Sequence, residues 1–314
     1  MVRIKNTTLC VVAVFMFLVV GGCAQRYYVK PPTPSEMLYV EKVDTETGLQ
    51  ITDQRMGDDK NFSVGRITVY LTNITDEMAF LRENLVKELN SRGIDVVASD
   101  TDDAPLRFTV RKYRIRNHRS TGFSPFQTAT TLSGDYVSNG ESRKLVFYFR
   151  IGKVPIWSMK EVVDPCYSIP LSLMVKEIAS KINRLSFGLQ MPTEKVDALV
   201  REIEGSTDKF MFLKVLELGY TNNPAAIGPL VRFADHADDY VKVAAICSLG
   251  VLGAVDQFEF LKECYNTRTK DEKLMALKSI GDLNTLEAIA FIQSVKNSDE
   301  YGHERIRELV DLFM

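Results

Sequence analysis

The chain lacks the residue patterns by which most enzymes are identified. It has three histidines among 314 residues, and none stands in the HExxH spacing of a zinc peptidase. GxSxG, CxxC and a phosphate-binding glycine loop are also missing. The segment 235–239 combines three carboxylates with His236, but acidic residues between helices are typical caps. We therefore predict no catalytic residue, no metal site and no cofactor.

An excess of charge of one sign is missing as well. Lys and Arg number 39 against 41 Asp and Glu, and a net charge of -2 gives no field that would attract nucleic acid. Three cysteines follow Cys23, and an odd number argues against a disulfide framework. Two of them, Cys247 and Cys264, fall on neighbouring predicted helices, so a disulfide between them and buried free thiols both remain open.

The apolar run Leu9–Val20 is too short to span a membrane, which takes about 20 apolar residues. Two basic residues precede it, and two glycines follow it. A basic start, an apolar core and small residues at a cleavage position are typical of a secretory signal. We therefore predict a signal peptide at 1–22, with an uncut membrane anchor as the alternative.

Cys23 comes directly after these glycines, and the stretch Val20-Gly-Gly-Cys23 resembles the bacterial lipoprotein box. The resemblance implies that the thiol is acylated, with chains such as palmitate, and that cleavage makes Cys23 the first residue of the mature protein. Ala24 rather than Asp follows, which by resemblance to Gram-negative sorting rules implies the outer membrane, facing the periplasm. More than one acyl chain gives nearly permanent retention, so a membrane is the first expected partner.

Three prolines within the four residues 31–34 stiffen the mature N-terminus and block helix formation. We predict a lipidated N-terminus and Pro-rich tether at 23–59, which would hold the folded part away from the bilayer. An α+β domain at 60–190 and a repeat domain at 191–314 are expected to follow.

Residues 60–190 combine alternating apolar residues with two helical stripes. A strand, a helix, several strands and a closing helix give an α+β domain, with two helices on one face of a small, mainly antiparallel sheet. This order of elements is similar to that of small envelope lipoproteins such as the lipopolysaccharide-assembly lipoprotein. The predicted strands are Ile67–Leu71, Ile94–Ala98, Leu106–Arg116, 127–137 and Leu145–Ile151, and the predicted helices are Met78–Leu89 and Leu171–Leu185.

The third of these strands changes its alternation part-way: the apolar parity of Leu106–Val110 gives way to that of Tyr113 and Ile115. A strand can switch faces only through a slip, so we predict a bulge near Arg111. The outer end is basic and could contact an anionic ligand or an acidic partner, and a charged edge strand that resists sheet pairing is the alternative. The residues of this cluster are Arg111, Lys112, Arg114, Arg116, His118 and Arg119.

Aromatic residues follow the basic strand. The loop Ser120–Thr131 is rich in Ser, Thr and Gly and carries Phe123 and Phe126. Exposed rings on a loop can mark a contact site, and rings folded back onto their own sheet are the alternative. Trp157, the only tryptophan, follows Pro155 near the end of the sheet, and we predict that it packs in the core.

Residues 191–314 repeat with a period of 31, which is clearest at Gly219, Gly250 and Gly281. A repeat of this length holds two helices, and one such hairpin cannot bury its own apolar stripe, so the copies are expected to stack as an α-solenoid. The recurring glycine suits a close helix approach or a C-cap. The predicted helix pairs are Thr193–Ile203 with Asp208–Leu218, Pro224–Ala234 with Tyr240–Leu252, Asp256–Tyr265 with Asp271–Leu283, and Thr285–Ser294 with Tyr301–Phe313.

The stretch Val241–Gly253 resembles the second helix of a HEAT repeat of the kind found in phycobilisome-lyase relatives. The fourth copy departs from the pattern, with Leu312 at the glycine position, as a terminal cap would. The resemblance implies a surface that binds proteins, and it does not imply the lyase activity of some relatives. The residues that match are Val241, Lys242, Ala244, Ala245, Leu249 and Gly250.

Together these patterns favour a membrane-anchored periplasmic lipoprotein that is not an enzyme. It would act as an interaction scaffold or as an accessory in envelope assembly or transport. The α+β domain would lie near the lipid, and the concave face of the solenoid would dock a protein partner. A lipid- or glycolipid-binding helper that uses the basic strand at 111–119 is the alternative, and an enzyme of unrecognised type is the third hypothesis.

Overall fold

A computed structural model describes residues 25–36, 39–67, 69–121 and 123–314. The predicted signal peptide at 1–22 and the predicted lipid anchor Cys23 lie outside the described residues. The described chain is an α+β protein, with a sheet region at 25–186 followed by a helical region at 193–314. None of the described helices is both long enough and apolar enough to cross a bilayer.

The described residues form eight strands and ten α-helices. The strands are β1 Gln25–Tyr27, β2 Val43–Asp53, β3 Ser63–Gly65, β4 Val69–Leu71, β5 Ile94–Ser99, β6 Leu106–His118, β7 Phe126–Ser138 and β8 Glu141–Lys153. The helices are α1 Glu77–Ser91, α2 Ile169–Ser186, α3 Thr193–Glu204, α4 Met211–Gly219, α5 Ile227–Phe233, α6 Asp239–Leu252, α7 Phe258–Thr267, α8 Lys270–Leu283, α9 Leu286–Lys296 and α10 Glu304–Phe313.

The main sheet is mixed. Its strand order is β5-β2-β6-β7-β8, and β3 continues the line of β2 along β6. β5, β2 and β6 run parallel, whereas β6, β7 and β8 form long antiparallel hairpins. The prediction of a mainly antiparallel sheet is therefore correct only for the half that contains β6, β7 and β8. β1 and β4 form a separate parallel pair.

Most of the segment predicted as a tether belongs to the sheet region. β2 falls within 23–59, yet it lies between β5 and β6 with Leu49 and Ile51 buried. Val29 is also buried, and its backbone N–H and C=O pair with the Asn73 side chain at 2.9 and 2.8 Å. Because these residues find buried partners, the Pro-rich segment lies against the sheet region, which begins well before residue 60.

Helices cover both faces of the antiparallel half of the sheet. On one face, the Tyr136 hydroxyl of β7 lies 2.5 Å from Ser186 Oγ at the end of α2. On the other face, Arg116 of β6 donates to Glu308 of α10. The helical region thus begins beside α2 and ends across the opposite face of the sheet.

The predicted bulge in β6 is confirmed. Pairing with β7 shifts between Val110 and Lys112, which leaves Arg111 as the extra residue. Apolar residues of β6 on both sides of the bulge pair with even-numbered residues of β7, which share one face of the strand. The bulge therefore keeps the apolar residues of β6 facing α2 and turns the basic residues that follow it to the opposite face.

The helical region contains the eight predicted helices, each within three residues of its predicted bounds. The second helix of each pair packs against the next, so that α4, α6, α8 and α10 follow one another in chain order. A Cβ on Gly219 would lie 2.8 Å from Ser248 Cβ, and one on Gly250 would meet Ser279 Cα. Of the two roles considered for the recurring glycine, close helix approach is the one observed.

Two further features recur with the 31-residue period. Ser248 Oγ donates to the Val215 carbonyl at 3.0 Å, and Ser279 Oγ donates to the Ile246 carbonyl at 2.7 Å. A residue with a positive φ follows each of α4, α6 and α8 at this spacing, and these residues are Asn222, Gly253 and Asn284. The same contacts therefore form in successive copies of the repeat.

Candidate functional site

The basic residues predicted as one cluster on β6 do not share one environment in the structure. Arg111, at the bulge, donates to Asp135 at 2.9 Å and to Gln54. Lys112 lies 3.9 Å from Asp59, and burial together with the neighbouring Arg114 charge lowers its pKa. These side chains therefore already have acidic or polar partners within the chain.

Two more members of the cluster contact the last helix. Arg116 donates to Glu304 and Glu308 at 2.9 Å each, and Arg114 Nη2 lies 3.6 Å from Glu308. Arg114 also donates to Asp59 at 3.2 Å. We call Arg114, Arg116, Glu304 and Glu308 the outer junction, because they join the sheet region to α10 near solvent.

The remaining two residues of the cluster lie beyond these contacts. His118 is exposed at the last position of β6, and Arg119 Nε donates to the Ser124 carbonyl at 3.3 Å. The six residues thus do not form one open patch. Their spacing on a bulged strand sends four of them to internal carboxylates and two to the end of the sheet.

A second charged cluster, which sequence reasoning missed, is fully buried. Lys181 of α2 lies 2.7 Å from both Glu177 and Asp282, and it also donates to the Val146 carbonyl of β8 at 2.6 Å. Lys278 of α8 lies 2.8 Å from Asp282 Oδ2 and also pairs with Glu177. We call Glu177, Lys181, Lys278 and Asp282 the inner junction, because they join α2 to α8.

The charges of the inner junction balance within the site. Burial disfavours the Asp282 carboxylate, but the ammonium groups of Lys181 and Lys278 outweigh that cost and lower its pKa. All four side chains are at most 2% exposed. The four charges therefore compensate one another within the protein, out of contact with solvent.

A third buried network ties the start of the chain to the helical region. Arg92, after α1, pairs with Glu88 at 2.7 Å and donates to the Tyr220 carbonyl at 2.9 Å. Ser35 Oγ donates to Glu88 at 2.6 Å. The sheet region therefore holds the ends of both α4 and α8 through hydrogen bonds to charged groups.

These contacts determine which side of the helical region is covered within the chain. Every residue from Leu274 to Leu283 of α8 is buried, and α6 also ends at Gly253 against the Arg184 side chain of α2. Since α2 and β8 already cover this side, the exposed residues of α6 and α8 lie at the N-terminal ends of these helices.

The three cysteines within the described residues have no features of a reactive site. Cys166, Cys247 and Cys264 are free and buried, so the disulfide considered between Cys247 and Cys264 is not formed. Burial raises the pKa of Cys166 to about 12 and that of Cys247 to about 11. These thiols are therefore protonated at neutral pH and shielded from solvent.

The acidic turn at 235–239 caps a helix. Asp238 accepts the Tyr240 backbone N–H at 2.7 Å at the start of α6, and His236 Nδ1 accepts the Asp238 N–H. Arg268 pairs with Asp235. In the part of the chain that the structure describes, no group of acidic, histidine and cysteine side chains converges as a metal site would require.

The aromatic residues predicted near the end of the sheet separate into two classes. Phe126 is fully buried, as expected of a ring folded back onto its own sheet, whereas Phe123 is 98% exposed. Trp157 is 86% exposed, so the prediction that it packs in the core is wrong. It follows the last strand on a short connection that extends past the sheet, where no element covers it.

The comparisons with known proteins leave the family open. No family model and no curated protein matches the chain. A solved structure titled as a crystal structure of an uncharacterized protein covers 52% of this chain and 99% of its own, with 17% identity and a TM-score of 0.30. A score this low carries no conclusion about fold or function.

Proposed function

We propose that the chain is an envelope lipoprotein, anchored to the outer membrane through acylated Cys23 and facing the periplasm. The observation that carries the proposal is the Val20-Gly-Gly-Cys23 stretch after a basic start and the apolar run Leu9–Val20. Cleavage before Cys23 would leave β1, Gln25–Tyr27, within the mature chain.

The helical region, in this proposal, is a short HEAT-like solenoid that binds a protein partner and has no catalytic role. Recurring helix contacts at 31-residue spacing support it, because each copy buries its stripe against the next. In the last copy, Phe313 lies beside Gly281 as Ser248 and Ser279 lie beside Gly219 and Gly250.

The partner would contact the open N-terminal ends of the second helices. Phe210 and Tyr240 are exposed there, at the starts of α4 and α6. Phe212 links them, with ring centroids 6.4 Å from Phe210 and 5.7 Å from Tyr240. Exposed aromatic residues on a rigid support are typical anchors of protein interfaces.

The anchor is tested by mass spectrometry of the N-terminal peptide after expression in a Gram-negative host. We expect acyl chains on Cys23, and we expect Cys23→Ser to release the protein from the membrane fraction. Cys10→Ser is the matched control, because it changes a cysteine within the predicted signal peptide and should leave anchoring intact. An unmodified thiol at the mature N-terminus would refute the lipoprotein proposal.

The partner surface is tested by crosslinking in intact cell envelopes. We expect one defined crosslinked species that is lost when Phe210→Glu and Tyr240→Glu are combined. The control is Leu286→Glu, which changes a more exposed apolar residue at the start of α9. Loss of the species in the control as well, or its persistence in the double variant, would contradict this surface.

A further inference from the structure

One end of the main sheet carries large exposed apolar side chains on two separate segments. Phe123 lies between β6 and β7, and Trp157 follows β8, and these are two of the most exposed apolar residues described. Phe126 pairs with Lys153 in the sheet register, so both segments leave the sheet at the same end. Val154, between them, is also more than half exposed.

β1, the first strand of the described residues, lies at this same end of the main sheet. Asn117, near the end of β6, donates to the Ile67 carbonyl and accepts a hydrogen bond from Tyr167. β4 starts two residues after Ile67, and its first residue pairs with Gln25 of β1. Tyr28 and Tyr70, which follow on this strand pair, are more than half exposed.

The distance to the proposed anchor is therefore short. Cys23 precedes Gln25 by two residues, and two residues of extended chain span at most about 7 Å. A cysteine whose acyl chains lie in a bilayer keeps its backbone at the level of the headgroups. The β1–β4 pair, which holds Gln25, and the end of the main sheet beside it must then lie close to the same layer.

We propose that this sheet end is a membrane-contact surface that lies in the lipid headgroup layer. The proposal rests on the acylation of Cys23 proposed above, and it replaces the long tether expected from the sequence with direct contact. Phe123 and Trp157 would reach the boundary between headgroups and acyl chains. Tryptophan and tyrosine are enriched at that level, because their rings have an apolar body and a polar edge.

The charges at this end suit anionic headgroups. The segments 25–30, 63–67, 117–126 and 151–164 hold six basic residues and two acidic ones. Basic residues near an anionic leaflet are attracted to its surface potential. Of the two carboxylates, Asp164 pairs with Lys30, and Glu161 accepts the Ser158 backbone N–H. The basic residues are Arg26, Lys30, Arg66, Arg119, Lys153 and Lys160.

Trp157 is itself the probe, because the chain has no other tryptophan. The acylated protein, verified by mass spectrometry, is reconstituted in phosphatidylcholine vesicles that contain phosphatidylglycerol and a lipid with a nitroxide near its headgroup. Because the ring would sit in the interface, we expect blue-shifted emission and at least about twofold quenching by the nitroxide.

The matched control moves the tryptophan to the far end of the sheet. Trp157→Phe is combined with Leu286→Trp, a position that is 87% exposed. Leu286 lies two residues after Asn284, which donates to the Lys144 carbonyl, and the nine residue steps of β8 from Lys144 to Lys153 span about 30 Å. We expect no quenching in this variant.

A second measurement uses the unacylated Cys23→Ser chain. It should bind phosphatidylglycerol vesicles weakly, and Phe123→Asp should reduce that binding about tenfold by removing an inserted ring. Quenching of Trp157 no stronger than in the control, in protein whose Cys23 is acylated, would overturn the contact surface and leave the lipoprotein proposal standing. An unacylated Cys23 in the wild-type protein would instead overturn both.

Discussion

The inner and outer junctions both join the helical region to the sheet region through ion pairs, but the two sets of ion pairs differ in their exposure to solvent. The inner junction is wholly buried, whereas at the outer junction Arg116 is 32% and Glu304 is 72% exposed. Removing one partner of a buried pair costs about 3–5 kcal/mol, because an uncompensated charge remains. Exposed pairs contribute about 0.2–1 kcal/mol. The inner junction therefore fixes how the two regions fit, and the outer junction adds little to that fit.

Lys278→Met should have the largest effect of the variants that test the two junctions. It removes one of the two buried ammonium groups that pair with Glu177 and Asp282 and leaves Lys181 as their only lysine partner in the inner junction. We expect the free energy of unfolding to fall by about 3–5 kcal/mol, measured by denaturant titration.

The control replaces both members of one pair. Lys278→Met combined with Asp282→Leu leaves Glu177 and Lys181 paired, so the charges balance again. We expect this double variant to recover most of the loss, because apolar residues often replace a buried ion pair at little cost. If both variants lose the same stability, packing rather than charge determines the inner junction.

Gly250→Ala tests the geometry of the same junction without changing its charge. The added Cβ would meet Ser279 Cα, one residue from Lys278, and backbone cannot move aside as a side chain can. We expect a loss of about 1–3 kcal/mol. Gly281→Ala is the matched variant and should lose less, because its Cβ meets only the ring of Phe313. Equal losses would mean that the helices adjust freely at both positions.

The helices of the helical region could be predicted in detail because small residues recur in the sequence with the period of the repeat. Gly219, Gly250 and Gly281 mark where helices cross, and their spacing fixes the helix pairs. The bulge near Arg111 was also predictable from the sequence. When apolar residues of one strand change from even to odd positions, an extra residue in the strand keeps them on the same face. What could not be predicted is how the two regions pack against each other.

The inner junction gave a misleading sequence signal. Glu177 with Lys181, and Lys278 with Asp282, are opposite charges four residues apart, which on an isolated helix is typical of a solvated face. Only the docking of α2 on α8 turns them inward.

β2 was missed because it holds polar residues such as Asp44, Glu46 and Gln50 beside few apolar ones. Trp157 was misplaced because a large apolar residue is usually buried.

Glu308→Gln tests how much the outer junction contributes to stability. Its side chain is 9% exposed and accepts from Arg116, with Arg114 nearby. Asp59 and Glu304 remain as partners for these two arginines. We therefore expect a loss of only about 1 kcal/mol in the free energy of unfolding. A loss as large as that of Lys278→Met would show that the two junctions do not differ.

Glu304→Gln should have the smallest effect. Its carboxylate is mostly in water, so ions screen its attraction to Arg116, and the side chain gives up rotamer freedom to form the pair. We expect a change within about 0.5 kcal/mol at low salt. At about 1 M salt, where the Debye length is about 3 Å, the difference from wild type should vanish. The double variant with Glu308→Gln should then be no less stable than Glu308→Gln alone, and a further loss at high salt would mean that α10 is held through Glu304 by a contact other than charge.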